Sequence, residues 1–217
     1  MRVRKLLLPI AIMLAPAAVA TAGARATPIL LTNQSCYLVG QPVGITGSGF
    51  AASRMYEVAL DGLDFGISTT NADGGFTASL SPGGLGANVV QAVDALVASD
   101  GTSQTRTTFT VTRTAGARIL AGSGAAASLR APFQVWGFAL GGSQRPVYLH
   151  YVSPRGHLKV TVALGNTGGQ CGYLRTKARR VFPFLPGHGT WTLQLDTHPG
   201  YSRHASGPVA KIVVRVG

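Results

Sequence analysis

The chain has 217 residues, 46% of them hydrophobic and 12% charged, with a formal net charge of +12. That length suits one large or two small domains. So apolar a composition with so few charges excludes a disordered chain, and a cysteine pair, Cys36 and Cys171, excludes a disulfide-dense mini-scaffold.

Arg2, Arg4 and Lys5 precede an apolar run, residues 6–20, broken by Pro9 and Pro16. Small-residue patterns follow at Ala18-Val19-Ala20 and Ala24-Arg25-Ala26. This order reads as a signal peptide over residues 1–26, removed after Ala20, Ala22 or Ala26. The run is shorter than the roughly 20 residues of a membrane span. No second apolar run of that length and no lipobox cysteine follow, so neither a membrane span after cleavage nor a lipid anchor is expected. The expected location is secreted or extracellular, with the cell wall as a place of attachment.

Beyond residue 26 there is no helical pattern. Gly, Pro, Ser and Thr recur every few residues, and the apolar residues between them alternate, as in a sandwich or barrel of short strands. Predicted strands in the first half cover 43–50, 56–60, 75–80, 89–94 and 107–112. Asp73-Gly74 before the third is a hairpin-turn signal. A second set has the same shape: 133–138, 147–152, 157–162, 191–196 and 210–216. Within this weak repeat, residues 73–80 align with 155–162. Each copy has room for about seven short strands, as an immunoglobulin-like sandwich requires. The expectation is an all-β chain with two immunoglobulin-like β-sandwich domains in tandem, residues 27–112 and 113–217.

Charge divides at the same place. Residues 27–112 carry Arg54 and Arg106 against Glu57, Asp61, Asp64, Asp73, Asp94 and Asp100, a net −4. Residues 113–217 carry 13 Lys and Arg against Asp196 alone, a net +12. Such asymmetry points to an anionic partner of the second half, or to contact between the halves.

Gly40-Gln41-Pro42-Val43, Gly47-Ser48-Gly49-Phe50, Asp61-Gly62 and Asp73-Gly74-Gly75-Phe76 carry a resemblance. With them the first half resembles the bacterial Ig-like domains of extracellular proteins, including the IPT/TIG-like group. The second half resembles the companion module of secreted proteins from GC-rich bacteria, through Tyr148-Leu149-His150-Tyr151-Val152-Ser153-Pro154, Cys171-Gly172, Arg175-Thr176-Lys177, Phe182-Pro183-Phe184 and Gly189-Thr190-Trp191-Thr192-Leu193. An excess of Arg over Lys, 15 to 4, fits such a genome. The resemblance implies a β-sandwich fold and no enzymatic activity, and it brings no functional residues.

The most functional-looking segment is Arg175-Thr176-Lys177-Ala178-Arg179-Arg180. If extended, it projects residues 175, 177 and 179 from one face. Arg175, Lys177, Arg179 and Arg180 are therefore candidates for binding an anion, with Tyr148, Tyr151, Tyr173 and Trp136 as stacking surface. A solvated edge strand, whose cations deter pairing, is the competing reading. Anionic cell-wall polymer, a lipid headgroup or another surface protein is the expected partner, and nucleic acid is not. His150, His157, His188, His198 and His204 show no tight ligand spacing. Asn71, Asp73, Asp61 and Asp64 lack the EF-hand pattern and read as turn residues. No metal or other cofactor is expected.

G-x-S-x-G is absent, and Ser48 and Ser123 sit in Gly-Ser-Gly without its spacing. Asp196 alone cannot form a carboxylate pair in the second half. No catalytic residue is assigned and no enzyme is expected. Trp191 alternates with Leu193 and Leu195 and reads as core, whereas Phe182-Pro183-Phe184 is expected at the surface. Cys36 and Cys171 have one intrachain pairing, across the halves, at positions expected to be exposed. Free thiols and an interchain bridge are the alternatives. The expected role is that of a non-enzymatic extracellular structural or interaction protein acting through surface contacts. The alternative is a cell-wall polymer or carbohydrate-binding module using the basic second half.

Overall fold

Alternation along the chain becomes strands with one buried face. The computed structural model describes residues 27–122, 125 and 128–217. The signal-peptide segment and Ser123 lie outside them. The described residues form strands, turns and bends and no helix. Eight strands come first: β1 (Ile29–Thr32), β2 (Cys36–Leu38), β3 (Val43–Ser48), β4 (Met55–Leu60), β5 (Leu63–Thr69), β6 (Phe76–Leu80), β7 (Gln91–Ser99) and β8 (Gln104–Thr112). They build a sheet in the order β1-β3-β6 and another in the order β2-β8-β7-β4-β5. Neighbours run antiparallel except β2 and β8, which are parallel.

One core fills the space between these two sheets. Leu30, Val43, Ile45 and Leu80 come from the smaller sheet, and Tyr37, Val58, Leu96, Phe109 and Val111 from the larger. Fully burying each such side chain contributes roughly 1.5–3 kcal/mol. Tyr37 meets Phe109 edge-on at 5.3 Å. Its hydroxyl donates to Asn33 Oδ1 and accepts from Gln34 N, so the buried phenol stays satisfied.

The later strands are β9 (Gly116–Ile119), β10 (Arg130–Ala131), β11 (Phe133–Trp136), β12 (Pro146–Val152), β13 (Leu158–Asn166), β14 (Leu174–Arg175), β15 (Arg179–Arg180), β16 (Gly189–Asp196) and β17 (Ala210–Val216). They form sheets in the orders β9-β11-β14 and β13-β12-β16-β17, with β10 and β15 as a separate pair. A second core joins Phe133 and Val135 to Val147, Leu149, Tyr151, Trp191, Leu193 and Leu195.

Apart from β2 and the β10-β15 pair, the sheet orders match. β1-β3-β6 corresponds to β9-β11-β14, and β5-β4-β7-β8 to β13-β12-β16-β17. This corrects the alignment of residues 73–80 with 155–162. β6 pairs with β3 in a three-stranded sheet, whereas β13 pairs with β12 in the four-stranded sheet, so the counterpart of β6 is the two-residue β14. Asp73-Gly74 is likewise no hairpin turn. It carries the chain from β5 in one sheet to β6 in the other. Asn71 Oδ1 accepts Asp73 N and Gly75 N there, and Gly74 has a φ of 72°. Any Cβ on Gly74 would strike the Phe50 carbonyl.

Contacts at the seam join the two cores. Arg113 donates to the carbonyls of Leu85, Gly86 and Val89, and Arg118 to that of Asn88.

Candidate functional site

The basic segment is not one extended ladder. Arg175 ends β14, paired with Gln134 of β11. Thr176 then turns back on β11: its N–H donates to Phe133 O and its Oγ1 accepts from Phe133 N. The chain restarts in β15, where Arg180 lies opposite Arg130. Arg175, Lys177 and Arg180 are exposed. Arg179 is half-buried, near enough to Tyr151 for its charge to oppose the rise in the Tyr151 pKa caused by burial. The structure adds Arg118 and Arg130 to the strip. Arg118, Gln134 and Arg175 form one cross-strand row, with Arg118 Nε donating to Gln134 Oε1 at 2.5 Å. Among the described residues no carboxylate pairs with these cations, and the close imidazole–carboxylate pair there is His150–Asp196.

That pair is the chemistry the sequence reading missed. His150 on β12 and Asp196 on β16 are fully buried. They lie on the sheet face opposite the core, beneath the segment 197–209. His150 Nε2 and Asp196 Oδ1 are 3.2 Å apart, and His150 Nδ1 and Thr161 Oγ1 2.8 Å. Nε2 donates to the carboxylate, so in the neutral imidazole Nδ1 accepts the Thr161 hydroxyl proton. Asp196 Oδ2 accepts Gln194 Nε2 at 3.0 Å and Oδ1 accepts His198 N at 2.9 Å. Burial pushes the Asp196 carboxyl up, but the hydrogen bonds from Gln194, His198 and His150 outweigh it and hold the pKa below its usual value. Gln194 Nε2 also donates to Ser202 O, which ties segment 197–209 to the sheet.

Thr161, His150 and Asp196 thus stand in the order of a hydroxyl–imidazole–carboxylate triad. The imidazole has no exposed surface and both its nitrogens are engaged. Thr161 and His150 are register partners on neighbouring strands, with Thr161 on β13 at the edge of the sheet. The array clamps a loop onto a sheet.

Three expectations about exposure are corrected. Phe182 is 1% exposed and Phe184 half-buried, because both rings pack against Trp191, at 5.5 and 5.3 Å. Their irregular spacing reflects a loop folded into the core. Tyr151 is also buried, its hydroxyl donating to Val181 O at 2.7 Å, so it offers no stacking surface. Tyr148, Tyr173 and Trp136 are half-buried. Cys36 and Cys171 are buried rather than exposed. They form a disulfide between residues 135 apart in sequence, with Cα atoms 5.4 Å apart, and it crosses the seam between the two cores.

No known family matches the chain, and no curated protein does. Two of the solved structures that resemble it show the all-β architecture. One is a tetra-tandem repeat from the extending region of a large adhesion protein, 9% identical, with a TM-score of 0.31, covering 88% of this chain and 49% of that one. The other is a β-glucuronidase from Parabacteroides merdae, 11% identical, with a TM-score of 0.28, covering 88% and 24%. This chain thus spans about half the length of the first and a quarter of the second. Likenesses this distant carry neither an activity nor a partner.

Among the described residues no three His, Cys, Asp or Glu side chains converge as metal ligands. His198 and His204 line one cavity of about 360 Å³ with Pro199, Gly200 and Ser202. Asn71 is committed to its turn. One sequence signal for the buried array existed: His150, Gln194 and Asp196 are polar residues inside otherwise apolar strands.

Proposed function

We propose that the chain is a non-enzymatic extracellular interaction protein built from two immunoglobulin-like sandwiches of the bacterial IPT/TIG-like kind, residues 27–112 and 113–217. The observation that carries this is the buried Cys36–Cys171 bridge across the seam. Structural disulfides persist in oxidising compartments outside the cytosol. A crosslink between two cores fixes how their surfaces are presented together. Strand order supports the fold reading: each half sets a three-stranded sheet beside one in which a hairpin, β4-β5 or β12-β13, adjoins the antiparallel pair of the last two strands. The clamped state of the His150–Asp196 array supports the non-enzymatic part.

A second reading has its own observation. Arg118, Arg130, Arg175, Lys177 and Arg180 gather on one side of the second half without a carboxylate partner among the described residues. Such a strip fits an anionic cell-wall polymer. The test is cosedimentation of the purified protein with isolated cell envelopes and wall polymer. Binding that persists in about 1 M salt, where the Debye length falls to about 3 Å, supports contact through less charged surfaces. Binding lost in salt, and lost at low salt when Arg118, Arg175, Lys177 and Arg180 are changed to Ser, supports the polymer. No binding to either material overturns both readings.

A further inference from the structure

Three adjoining cavities lead across the second half to the seam with the first. The middle one, about 360 Å³, is lined by Ser143, Arg145, Thr197, His198 and Ser206 beside Phe138, Leu140 and Pro208. Among the described residues none of those five polar side chains has a hydrogen-bond partner. Arg145 and His198 are engaged through their backbone, with Thr167 and Asp196. No carboxylate lines the cavity. A guanidinium, an imidazole and three hydroxyls around one space form a donor set for an anion.

Phe138, Leu140 and Pro208 continue into the next cavity, about 290 Å³, where Leu38, Thr114, Ala115 and Gly137 complete the wall. This end is apolar and lies at the seam. Leu140 is 53% exposed, an apolar side chain left at the joint between the two cavities. Polarity therefore changes along one continuous cleft, from cationic and hydroxylic at Arg145 and His198 to apolar at Leu38 and Phe138.

We propose that this cleft binds a single-chain anionic amphiphile. Its phosphate or carboxylate head lies against Arg145, His198 and the hydroxyls of Ser143, Thr197 and Ser206. Its apolar chain runs over Leu140 and Phe138 toward Leu38. The cleft is separate from the cationic strip, and nothing in this assignment depends on polymer binding. Apolar burial supplies affinity that the head alone lacks, so the amphiphile outcompetes its own headgroup.

Isothermal titration calorimetry on the full, oxidised protein tests this with three probes. Dodecyl phosphate is used below its critical micelle concentration, alongside inorganic phosphate and dodecyl maltoside. The expected result is one dodecyl phosphate per chain, bound at least about tenfold more tightly than inorganic phosphate, with no saturable binding of the neutral maltoside. Arg145→Gln weakens dodecyl phosphate by about ten- to a hundredfold, as loss of a charge-assisted hydrogen bond does. Leu140→Ser weakens dodecyl phosphate and leaves inorganic phosphate unchanged. If Arg145→Gln lowers the melting temperature, His198→Asn serves the same purpose, since the backbone bond to Asp196 is kept. Equal affinity for phosphate and dodecyl phosphate overturns the assignment. So does several-site binding over the basic surface, comparable binding of the maltoside, or indifference to both head-end variants.

Discussion

Asp100 and Asp196 show how few polar side chains the fold uses and how heavily. Asp100 is buried at the end of β7, where its carboxylate accepts Ala51 N at 2.8 Å, the N–H and hydroxyl of Thr102, and Ser103 N. The bond from Ala51 leads in holding its pKa far below the usual carboxylate value, against an opposing push from burial. Asp196 is lowered too. A depressed folded-state pKa contributes stability above the unfolded value, near 3.9, and that stability is lost as pH falls through the folded pKa. Urea midpoints should therefore fall steadily below about pH 4. Asp100→Asn and Asp196→Asn should each flatten that fall and cost about 2 kcal/mol at neutral pH. An amide at 196 sets a donor against a donor whichever way it is flipped, because His198 N and Gln194 Nε2 both donate to the carboxylate. Tyr151 behaves in the opposite sense. Burial pushes its pKa up to about 12, with Arg179 opposing. The preference for the neutral phenol is fully present below the unfolded value near 10 and is lost as pH rises through about 12. An absorbance titration should show one tyrosine ionising with alkaline unfolding, and Tyr151→Phe should remove that step.

Strands depend on close approaches at chosen points. Gly47 of β3 is the register partner of Phe76 of β6, and the Phe76 ring lies where a Cβ on Gly47 would stand. The ring stacks on Tyr56 at 3.9 Å and cannot move aside freely. Gly47→Ala should cost about 1–3 kcal/mol by overpacking, and Phe76→Leu in the same chain should restore part of it. Denaturant titration of the single and double variants reads the coupling. Alternation made strands such as β3 and β4 legible in the sequence, since each buries one face, and apolar residues at every second position did the same for β12 and β16. β14 and β15 were illegible, because two-residue strands have no period to read and the basic run across them looked like one strand. The alignment of β6 with β13 failed for a related reason. A turn followed by an alternating strand describes both, and local pattern does not say which sheet a strand joins. Phe182 and Phe184 were misplaced because a loop that folds into a core carries no periodicity.

Charge and covalent linkage decide the behaviour of the whole chain. The acidic first half and basic second half do not neutralise each other at the seam, where Arg113 and Arg118 meet carbonyls rather than carboxylates. On the first half, Glu57 faces Asp64, whose hydrogen bond and charge raise the Glu57 pKa, so acidic groups crowd there unrelieved. The lock between the halves is therefore the Cys36–Cys171 bridge together with those hydrogen bonds. Each half has its own core, so reduction should leave both folded while loosening the joint. Either half, unfolding while the other stays folded, is a loop closed between the seam and the bridge. Closing loops of many tens of residues is worth about 4–5 kcal/mol in the chain-entropy model. Reduction, or the Cys36→Ser/Cys171→Ser pair, should lower the unfolding free energy of both halves by up to that much and shift their urea midpoints down accordingly. Small-angle scattering should show a broader range of inter-half distances. Mass spectrometry after alkylation without reductant should find no labelled cysteine in the native protein. Two labelled thiols, or midpoints that reduction does not move, would rule out the bridge as the lock between the halves and the fixed joint with it.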